Sequence, residues 1–375
     1  MILRAFVAAF AATLVFSLPA HAQLKFGLGA PMTGEQATFG AQMKSGAELA
    51  IEDINANGGL LGEKVELTIG DDRADPKEGL LVANKFIGQD IRFLVGHLQS
   101  GVSIPASKEY ADNGILTITP GATNPQLTDN GLWNSFRVCG RDDQQGAVAG
   151  NYIADNFKGK KIVVLHDRTP YGKGLADETL KAMKAKGMDA VFYDGINVQD
   201  KDFSAVVSRI KQEMPDYVYF GGLHTPAGLL VRQMREQGVL AHLISGDGIV
   251  TEEFAAIAGP GAEGTLMTFG PDPEKNPAAA KVIEKFKAKN LKPESYAIYT
   301  YAGYQLLAEG IKAANSTDAK KVAEVFHSGK TFDTVLGPLS FDKKGDLSKP
   351  NYVMYEWVKD ASGKIVYRQK NLSAL

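Results

Sequence analysis

Three segments follow one another as strand, helix and strand: KFGLGA (residues 25–30), FGAQMKSGAELAIEDI (39–54) and VELTI (65–69). In the middle segment the apolar side chains recur at intervals of three and four residues from Phe39 to Ile54, as on one face of an α-helix. Gly58-Gly59 then ends the helical pattern, and residues 65–69 alternate apolar and polar side chains as strands do. The three segments therefore predict a parallel β-α-β unit.

The same alternation continues along most of the chain. Asp75-Pro76 predicts the start of a second helix, with the aspartate as N-cap and the proline at the first helical position. Short apolar runs predict further strands at residues 93–96, 115–119, 161–165, 191–193, 217–220, 243–245, 352–358 and 364–367. Helical patterns separate most of the earlier strands and dominate residues 277–290, 296–314 and 318–328.

Residues 23–141 and 142–270 each carry one run of this alternation, and no Gly/Ser-rich or Pro-rich linker separates them. We therefore predict an α/β fold of two Rossmann-like lobes with parallel-sheet cores, between which the chain crosses more than once. Ligands of open α/β sheets bind at the carboxyl ends of the strands. The predicted site is the cleft between the lobes.

Composition excludes several classes of function. The chain has 375 residues, of which 44% are hydrophobic, so ordinary cores for about two domains are available. Its net charge of −2 gives no basis for nucleic-acid binding. The single cysteine, Cys139, excludes an intrachain disulfide and a cysteine-cluster zinc site, and the six histidines show no HExxH spacing.

Residues 1–22 are predicted to be a cleavable signal peptide. Arg4 precedes an apolar run over residues 5–18, and Ala20-His21-Ala22 fits the small-x-small cleavage pattern. The run is shorter than the roughly 20 residues that a bilayer span requires. Cleavage leaves 353 residues, which we expect to be soluble and exported, most simply to a periplasm. In that oxidising compartment Cys139 is predicted to be a buried free thiol.

Enzyme motifs are weak, so we assign no catalytic residue, no metal ligand and no cofactor. Gly27-Leu28-Gly29 begins a dinucleotide-binding motif, but Met32 stands where its third glycine would be. His166-Asp167 has no accompanying serine or cysteine motif. The aspartates at 71, 72 and 75 fit a strand end followed by a helix cap better than a metal cluster.

Four loops at predicted strand ends carry polar groups that suit a zwitterion. They span residues 96–101, 119–125, 166–172 and 245–248. Serine and threonine hydroxyls beside helix starts suit a carboxylate, whereas Asp247, flanked by glycines, suits an ammonium group. The same residue types are common in βα loops of any function, so patterning alone leaves both interpretations open.

The sequence resembles the periplasmic substrate-binding proteins of branched-chain amino-acid ABC transporters over essentially the whole mature chain. The resemblance is carried by AIEDINANGG (50–59), DD (71–72) with DPK (75–77), VANK (82–85), PGATNP (120–125), YGKGLA (171–176), KDFS (201–204) and KGDL (344–347). It implies two lobes joined by a three-stranded hinge, the type I or Venus-flytrap architecture. Lobe 1 would comprise residues 23–141 and 271–349, and lobe 2 residues 142–270 and 350–375.

The resemblance also implies the roles of individual residues. Ser100 and Thr123 would bind the α-carboxylate, and Gly121, Thr123 and Asp247 the α-ammonium group. Tyr171 would cover the ligand from the second lobe. The remaining pocket residues would be Phe39, Leu98, Gln99, Ala122, Leu223 and Tyr296.

Three features, at four positions, depart from the leucine-type pattern of that family. Asp247 stands where a glutamate is usual and Leu223 where a tyrosine is frequent, while Ala74 and Gln99 occupy the places of a cysteine pair. The expected function is an amino-acid transport receptor that binds an aliphatic, branched-chain amino acid and delivers it, as a monomer, to inner-membrane ABC permease subunits. The alternatives are a receptor of the same fold for alanine, proline, γ-aminobutyrate or a short amide and, less favoured, an α/β enzyme.

Overall fold

The computed structural model describes residues 23–370. The predicted signal peptide at residues 1–22 and the last five residues lie outside this range. Two separate sheets form the cores, and a two-stranded hairpin accompanies the first of them. The predicted α/β class with two sheet-centred lobes is confirmed.

The first sheet is built from the amino-terminal part of the chain. Its elements are β1 (Leu24–Ala30), α1 (Ala37–Ala56), β2 (Val65–Asp71), α2 (Pro76–Gly88), β3 (Phe93–Val95), α3 (Ser100–Asp112), β4 (Leu116–Thr119), α4 (Gln126–Asp129) and β5 (Ser135–Arg137). The strand order is β2-β1-β3-β4-β5, and all neighbours are parallel.

The second sheet begins after the first crossing. Its first elements are α5 (Asp142–Asn156), β6 (Ile162–His166), α6 (Pro170–Ala185), β7 (Tyr193–Gly195), α7 (Ser204–Glu213), β8 (Tyr217–Gly221), α8 (His224–Glu236), β9 (His242–Ser245), α9 (Glu252–Ala258) and β10 (Leu266–Phe269). Strands β7, β6, β8, β9 and β10 are neighbours in that order and parallel.

The carboxyl-terminal part serves both lobes. It comprises α10 (Ala280–Ala288), α11 (Ser295–Ala314), α12 (Ala319–His327), β11 (Phe332–Thr334), β12 (Gly337–Leu339), β13 (Val353–Lys359) and β14 (Ile365–Gln369). Helix α11 packs on α1, where a Cβ at Gly46 would overlap the Ala297 carbonyl. Strand β13 then adds antiparallel to β10 and β14 antiparallel to β13, so the second sheet is mixed rather than purely parallel. The chain thus passes between the two sheets three times.

Local sequence explains where the first helices start and stop. The Asp75 carboxylate accepts the N–H groups of Lys77 (2.8 Å) and Glu78 (3.2 Å) ahead of α2, which confirms the predicted cap. At the end of α1, Gly58 and Gly59 adopt φ values of +93° and +77°, which favour glycine. The predicted helix stop is therefore confirmed as well.

The structure differs from the predicted elements in several places. Strands β5, β10, β11 and β12 were not predicted; three of them have only three residues, and β5 ends on a charged Arg137. Strand β7 begins two residues after the start of the predicted run at 191–193, since its pairing with β6 aligns Tyr193 with Val164. The helix predicted from residue 277 begins instead with a 3₁₀ turn, Pro277–Ala279.

Two further properties follow from the described residues. Cys139 is buried and free, as predicted, and burial raises the pKa of its thiol to about 12. None of the helices among residues 23–370 combines the length and apolarity needed to cross a bilayer.

Candidate functional site

The carboxyl ends of strands from both sheets meet around one small cavity between the lobes. Its volume is about 10 Å³, so the lobes are closed tightly on one another here. The residues lining it are Phe39, Leu98, Gln99, Gly121, Tyr171, Leu223, Asp247, Gly248 and Tyr296. Eight of these nine carry a predicted role, and only Gly248 does not.

Ser100, Thr123 and Ala122 lie immediately behind this lining. Ser100 is the first residue of α3, and its Oγ accepts the Asn124 N–H at 3.2 Å, which leaves its own hydroxyl proton to donate. The Thr123 hydroxyl is buried and makes no hydrogen bond of good geometry within residues 23–370, although it is close enough to the buried Asp142 carboxyl to oppose the rise in that group's pKa. The Ser100 and Thr123 hydroxyls suit a carboxylate, and at Ser100 the dipole of helix α3 adds to the donor.

Ala122 was predicted as a pocket residue, but it does not line the cavity. Its N–H is bonded to the Thr119 hydroxyl at 2.9 Å and its carbonyl accepts Arg137 Nη1 at 2.8 Å. Both backbone groups are therefore used to hold the loop, and they face away from the cleft. Gly121 does line the cavity. A Cβ there would overlap Leu98 and come within 3.1 Å of the Tyr296 ring.

Arg137 and Asp346 support this loop from below. Arg137 is fully buried, and its Nε lies 2.7 Å from Asp346 Oδ1. Its other nitrogens donate to the carbonyls of Ala122 and Asn124 and to the Thr128 hydroxyl. The motif KGDL at 344–347, noted only as a pattern in the sequence, thus supplies the counter-ion of a buried arginine.

Asp247 lies on the opposite side of the cavity, in a 3₁₀ turn after β9. Its Oδ1 accepts the Tyr171 hydroxyl at 2.8 Å, and its Oδ2 accepts the Tyr296 hydroxyl at 3.3 Å. Tyr171 in turn accepts the Gly248 N–H at 2.8 Å. Burial raises the pKa of Asp247, and hydrogen bonds from Tyr171, Gln145 and Tyr296 oppose that shift because they stabilise the carboxylate. Within the described residues this buried carboxylate forms no ion pair.

The remaining walls are apolar. The rings of Phe39 and Tyr296 meet edge to face, with centroids 5.2 Å apart, and Leu98 and Leu223 complete the enclosure. His224, the first residue of α8, packs edge to face on Phe39 with ring centroids 5.1 Å apart. Burial lowers its pKa to about 4, so it is neutral near pH 7 and does not add charge to the site.

The lobes touch directly around the cavity. Asn124 Nδ2 from the first lobe donates to the Pro170 carbonyl of the second at 2.7 Å, and Glu35 pairs with Lys201 across the cleft mouth. Entry of a ligand into so enclosed a space requires the lobes to separate. The geometry is that of a closed clamp.

Asp71 and Asp72 make hydrogen bonds and an ion pair that stabilise the first lobe. Asp72 pairs with His97 Nδ1 at 2.6 Å, and Asp71 accepts the Met32 N–H at 2.9 Å. Among residues 23–370 no group of three or more His, Cys, Asp or Glu side chains is placed to hold a metal ion.

Comparison with known proteins finds a matching family model and close relatives that are binding proteins. A family model described as periplasmic binding protein matches residues 23–363. Leu/Ile/Val-binding protein homolog 1 of Brucella suis is 54% identical over 362 residues, which cover 96% of this chain and 98% of that protein. An amino acid binding protein of Pseudomonas aeruginosa is 47% identical over 363 residues, 96% of each chain.

Solved structures of amino-acid binding proteins superimpose on this chain over most of its length. The leucine binding protein LivK of Thermotoga maritima superimposes with a TM-score of 0.85 at 28% identity, over 94% of this chain and 100% of that one. The branched-chain amino acid transporter substrate-binding protein LivJ of Streptococcus pneumoniae, in complex with isoleucine, gives 0.81 at 26% identity, over 93% and 100%.

Proposed function

The chain belongs to the periplasmic binding protein family, and from that premise we propose that it is the receptor of an amino-acid ABC transporter, which binds an aliphatic, branched-chain L-amino acid in the interlobe cleft. Its relatives in Brucella are named Leu/Ile/Val-binding proteins, and its structural neighbours include a complex with isoleucine. We further propose that residues 23–141 with 271–349 form the first lobe and residues 142–270 with 350–375 the second.

The observation that carries the proposal is the buried Asp247 carboxylate. A buried charge is costly unless it is paired, and here two tyrosine hydroxyls only partly compensate that cost. An α-ammonium group would supply the missing partner. The hydroxyls of Ser100 and Thr123 stand on the other lobe to receive the α-carboxylate.

Side-chain selectivity follows from the apolar walls. Phe39, Leu98, Leu223 and Tyr296 offer no group that could pair with a charged side chain. Burial of an aliphatic side chain against them contributes roughly 1.5–3 kcal/mol. The site therefore favours leucine, isoleucine and valine over charged amino acids.

Ligand binding is coupled to closure of the two lobes. Ser100 and Thr123 belong to the first lobe, whereas Tyr171 and Asp247 belong to the second, so a ligand reaches both sets only when the lobes are closed. The ligand accordingly shifts the population from open to closed forms. We propose that the closed form then docks on inner-membrane permease subunits in the periplasm, as a monomer, after removal of residues 1–22.

Isothermal titration of the purified mature protein with three matched ligands tests the proposal. L-Leucine should bind. Leucinamide, which lacks the carboxylate, and 4-methyl-2-oxopentanoate, which lacks the ammonium group, should each bind at least about a hundredfold more weakly. Equal binding of all three would refute the zwitterion site. Tight binding of γ-aminobutyrate, alanine or proline instead of leucine would select the same-fold alternative, and conversion of the ligand would select an enzyme.

The affinity should fall at acid pH. In the free protein burial holds the pKa of Asp247 above its usual value near 3.8, whereas a bound ammonium group stabilises the carboxylate and lowers that pKa. The free protein therefore holds more protons than the complex, and affinity is lost as the pH falls through the free-protein pKa, by up to about tenfold per pH unit. Titrations of leucine between neutral and acid pH measure this slope.

Asp189→Asn provides the control for that experiment. Asp189 is exposed, pairs with Lys184 at 3.3 Å and lies outside the cavity lining. The variant should keep the pH slope. An affinity that is flat with pH in the unmodified protein would contradict the assignment of Asp247 to the ammonium group.

Gly121→Ala should weaken leucine binding by about tenfold, because the new methyl group displaces Leu98 into the cavity. Its φ does not lie in the left-handed region, so backbone strain adds nothing to the effect. The double variant Gly121→Ala with Leu98→Ala should recover part of the affinity, since it removes the displaced side chain. Titration of both variants with leucine measures these changes. A Gly121→Ala protein with full affinity would contradict the close contact between Gly121 and Leu98 in the cavity wall.

A further inference from the structure

A second and larger cavity lies on the hinge side of Asp247. Segments of all three interlobe crossings line it, around Cys139, Asp272 and Tyr352. Its volume is about 290 Å³, against about 10 Å³ for the cleft cavity. The two cavities share only Asp247 and Tyr296 in their walls. We call it the hinge cavity.

Four aromatic rings line the hinge cavity. Phe269 lies with its centroid 6.0 Å from that of Tyr296 and 5.6 Å from that of Tyr299. The ring centroids of Tyr296 and Tyr299 are 6.4 Å apart, and their planes are inclined at 63°. Tyr352 comes from the third crossing, and its buried hydroxyl has no hydrogen-bond partner among residues 23–370. A curved aromatic wall of this kind presents π faces to a cation.

Glycines in the crossings bring the outer rings close to the hinge backbone. A Cβ at Gly140 in the first crossing would overlap the Tyr352 ring, with Cζ 2.9 Å away. A Cβ at Gly270 in the second crossing would overlap the Tyr299 hydroxyl. The rings therefore line the cavity because these two positions carry no side chain.

The charges of the hinge cavity favour a cation in its interior. The buried Asp247 carboxylate closes its inner end and has no ion-pair partner within the described residues. The mouth carries Asp272, which pairs with Lys275 at 3.7 Å, and the exposed Lys349. Lys349 is therefore the uncompensated charge at the mouth, and the attraction for a cation comes from the unpaired carboxylate and the aromatic rings of the interior.

We propose that the hinge cavity is a second ligand site that takes a small organic ammonium ion, held between the aromatic rings and Asp247. Such an ion opposes amino-acid binding, because it and the α-ammonium group of the amino acid draw on the same carboxylate and repel each other. This coupling rests on the proposed function. Binding of the cation itself does not.

Tetramethylammonium is the probe, since its methyl groups suit aromatic faces and it carries no carboxylate. Saturation-transfer NMR on the mature protein should show transfer to its methyl protons. Tyr352→Leu, which removes one ring outside the cleft cavity, should reduce the transfer severalfold, and Tyr352→Phe, which keeps the ring, should retain it. No transfer to the unmodified protein, or equal transfer to Tyr352→Leu, would overturn the proposal.

Lys349→Glu is a surface variant that does not depend on repacking the cavity. It replaces a positive charge at the mouth by a negative one, so the affinity for tetramethylammonium should rise by about threefold. Asp189→Asn, a substitution of an exposed side chain far along the second lobe, should leave it unchanged. An affinity that does not change in Lys349→Glu would place the cation elsewhere and overturn the assignment.

Titration of isoleucine at increasing tetramethylammonium, with sodium chloride at matched ionic strength as control, tests the coupling. The apparent Kd of isoleucine should rise with the probe by more than it does with sodium chloride, and by less in Tyr352→Leu. An unchanged Kd despite saturation transfer would overturn the competition. Failure of isoleucine to bind without the probe would refute the proposed function instead, while the NMR result would still decide the cation site.

Discussion

Replacement of Asp247 by asparagine is expected to abolish amino-acid binding at micromolar concentrations. The amide keeps the shape of the side chain, and its single oxygen can still accept one of the Tyr171 and Tyr296 hydroxyls. It cannot neutralise a buried ammonium group, and removal of one partner of such a pair costs about 2–5 kcal/mol. The Kd for leucine should therefore rise by roughly thirtyfold or more.

Isothermal titration of Asp247→Asn against the unmodified protein measures this loss. Asp189→Asn is the matched control, because Asp189 is exposed and pairs only with Lys184 at 3.3 Å. Thermal unfolding should show that the Asp247→Asn protein is folded, and its melting temperature should no longer respond to leucine. Leucine binding within a few fold of normal would mean that the ammonium group is held elsewhere.

Replacement of Asp346 by asparagine is expected to lower the free energy of unfolding by about 3–5 kcal/mol. Asp346 is the counter-ion of the fully buried Arg137, at 2.7 Å, and it also pairs with Arg141 at 2.8 Å. Without the carboxylate the Arg137 guanidinium remains buried and loses its main ionic partner. Urea unfolding followed by tryptophan fluorescence measures the change, since Trp133 lies two residues before β5.

The variant should also weaken leucine binding, because Arg137 holds the loop that carries Gly121 and Thr123. The double variant Arg137→Met with Asp346→Leu should recover much of the lost stability, since it removes both charges together. Lys344→Ala tests the specificity of the effect: the exposed Lys344 pairs with Asp129 at the surface and should matter little. A stability loss in Asp346→Asn no larger than in Lys344→Ala would contradict this role of the buried pair.

The architecture was predictable because strand and helix periodicities differ and the chain keeps to them. Residues 25–69 alone gave the first β-α-β unit, and the cap at Asp75 and the stop at Gly58 appeared where they were expected. The loops of the cleft were predictable for a topological reason. Parallel strands place their carboxyl ends on one edge, so the residues that follow them come together.

Other features depend on contacts between distant residues. Strand β5 was missed because its Arg137 reads as a surface residue until Asp346, far along the chain, is placed beside it. Ala122 was predicted to face the pocket, yet Thr119 and Arg137 turn its backbone away. The hinge cavity could not be predicted at all, because three separate crossings and helix α11 form it together.

A thermal-shift panel of the twenty amino acids and γ-aminobutyrate tests whether the cleft binds branched-chain amino acids, because any ligand that binds only the folded protein raises its melting temperature. Leucine, isoleucine and valine should give the largest increases, while charged amino acids and γ-aminobutyrate should give little or none. A panel in which no aliphatic amino acid raises the melting temperature would contradict the proposed binding.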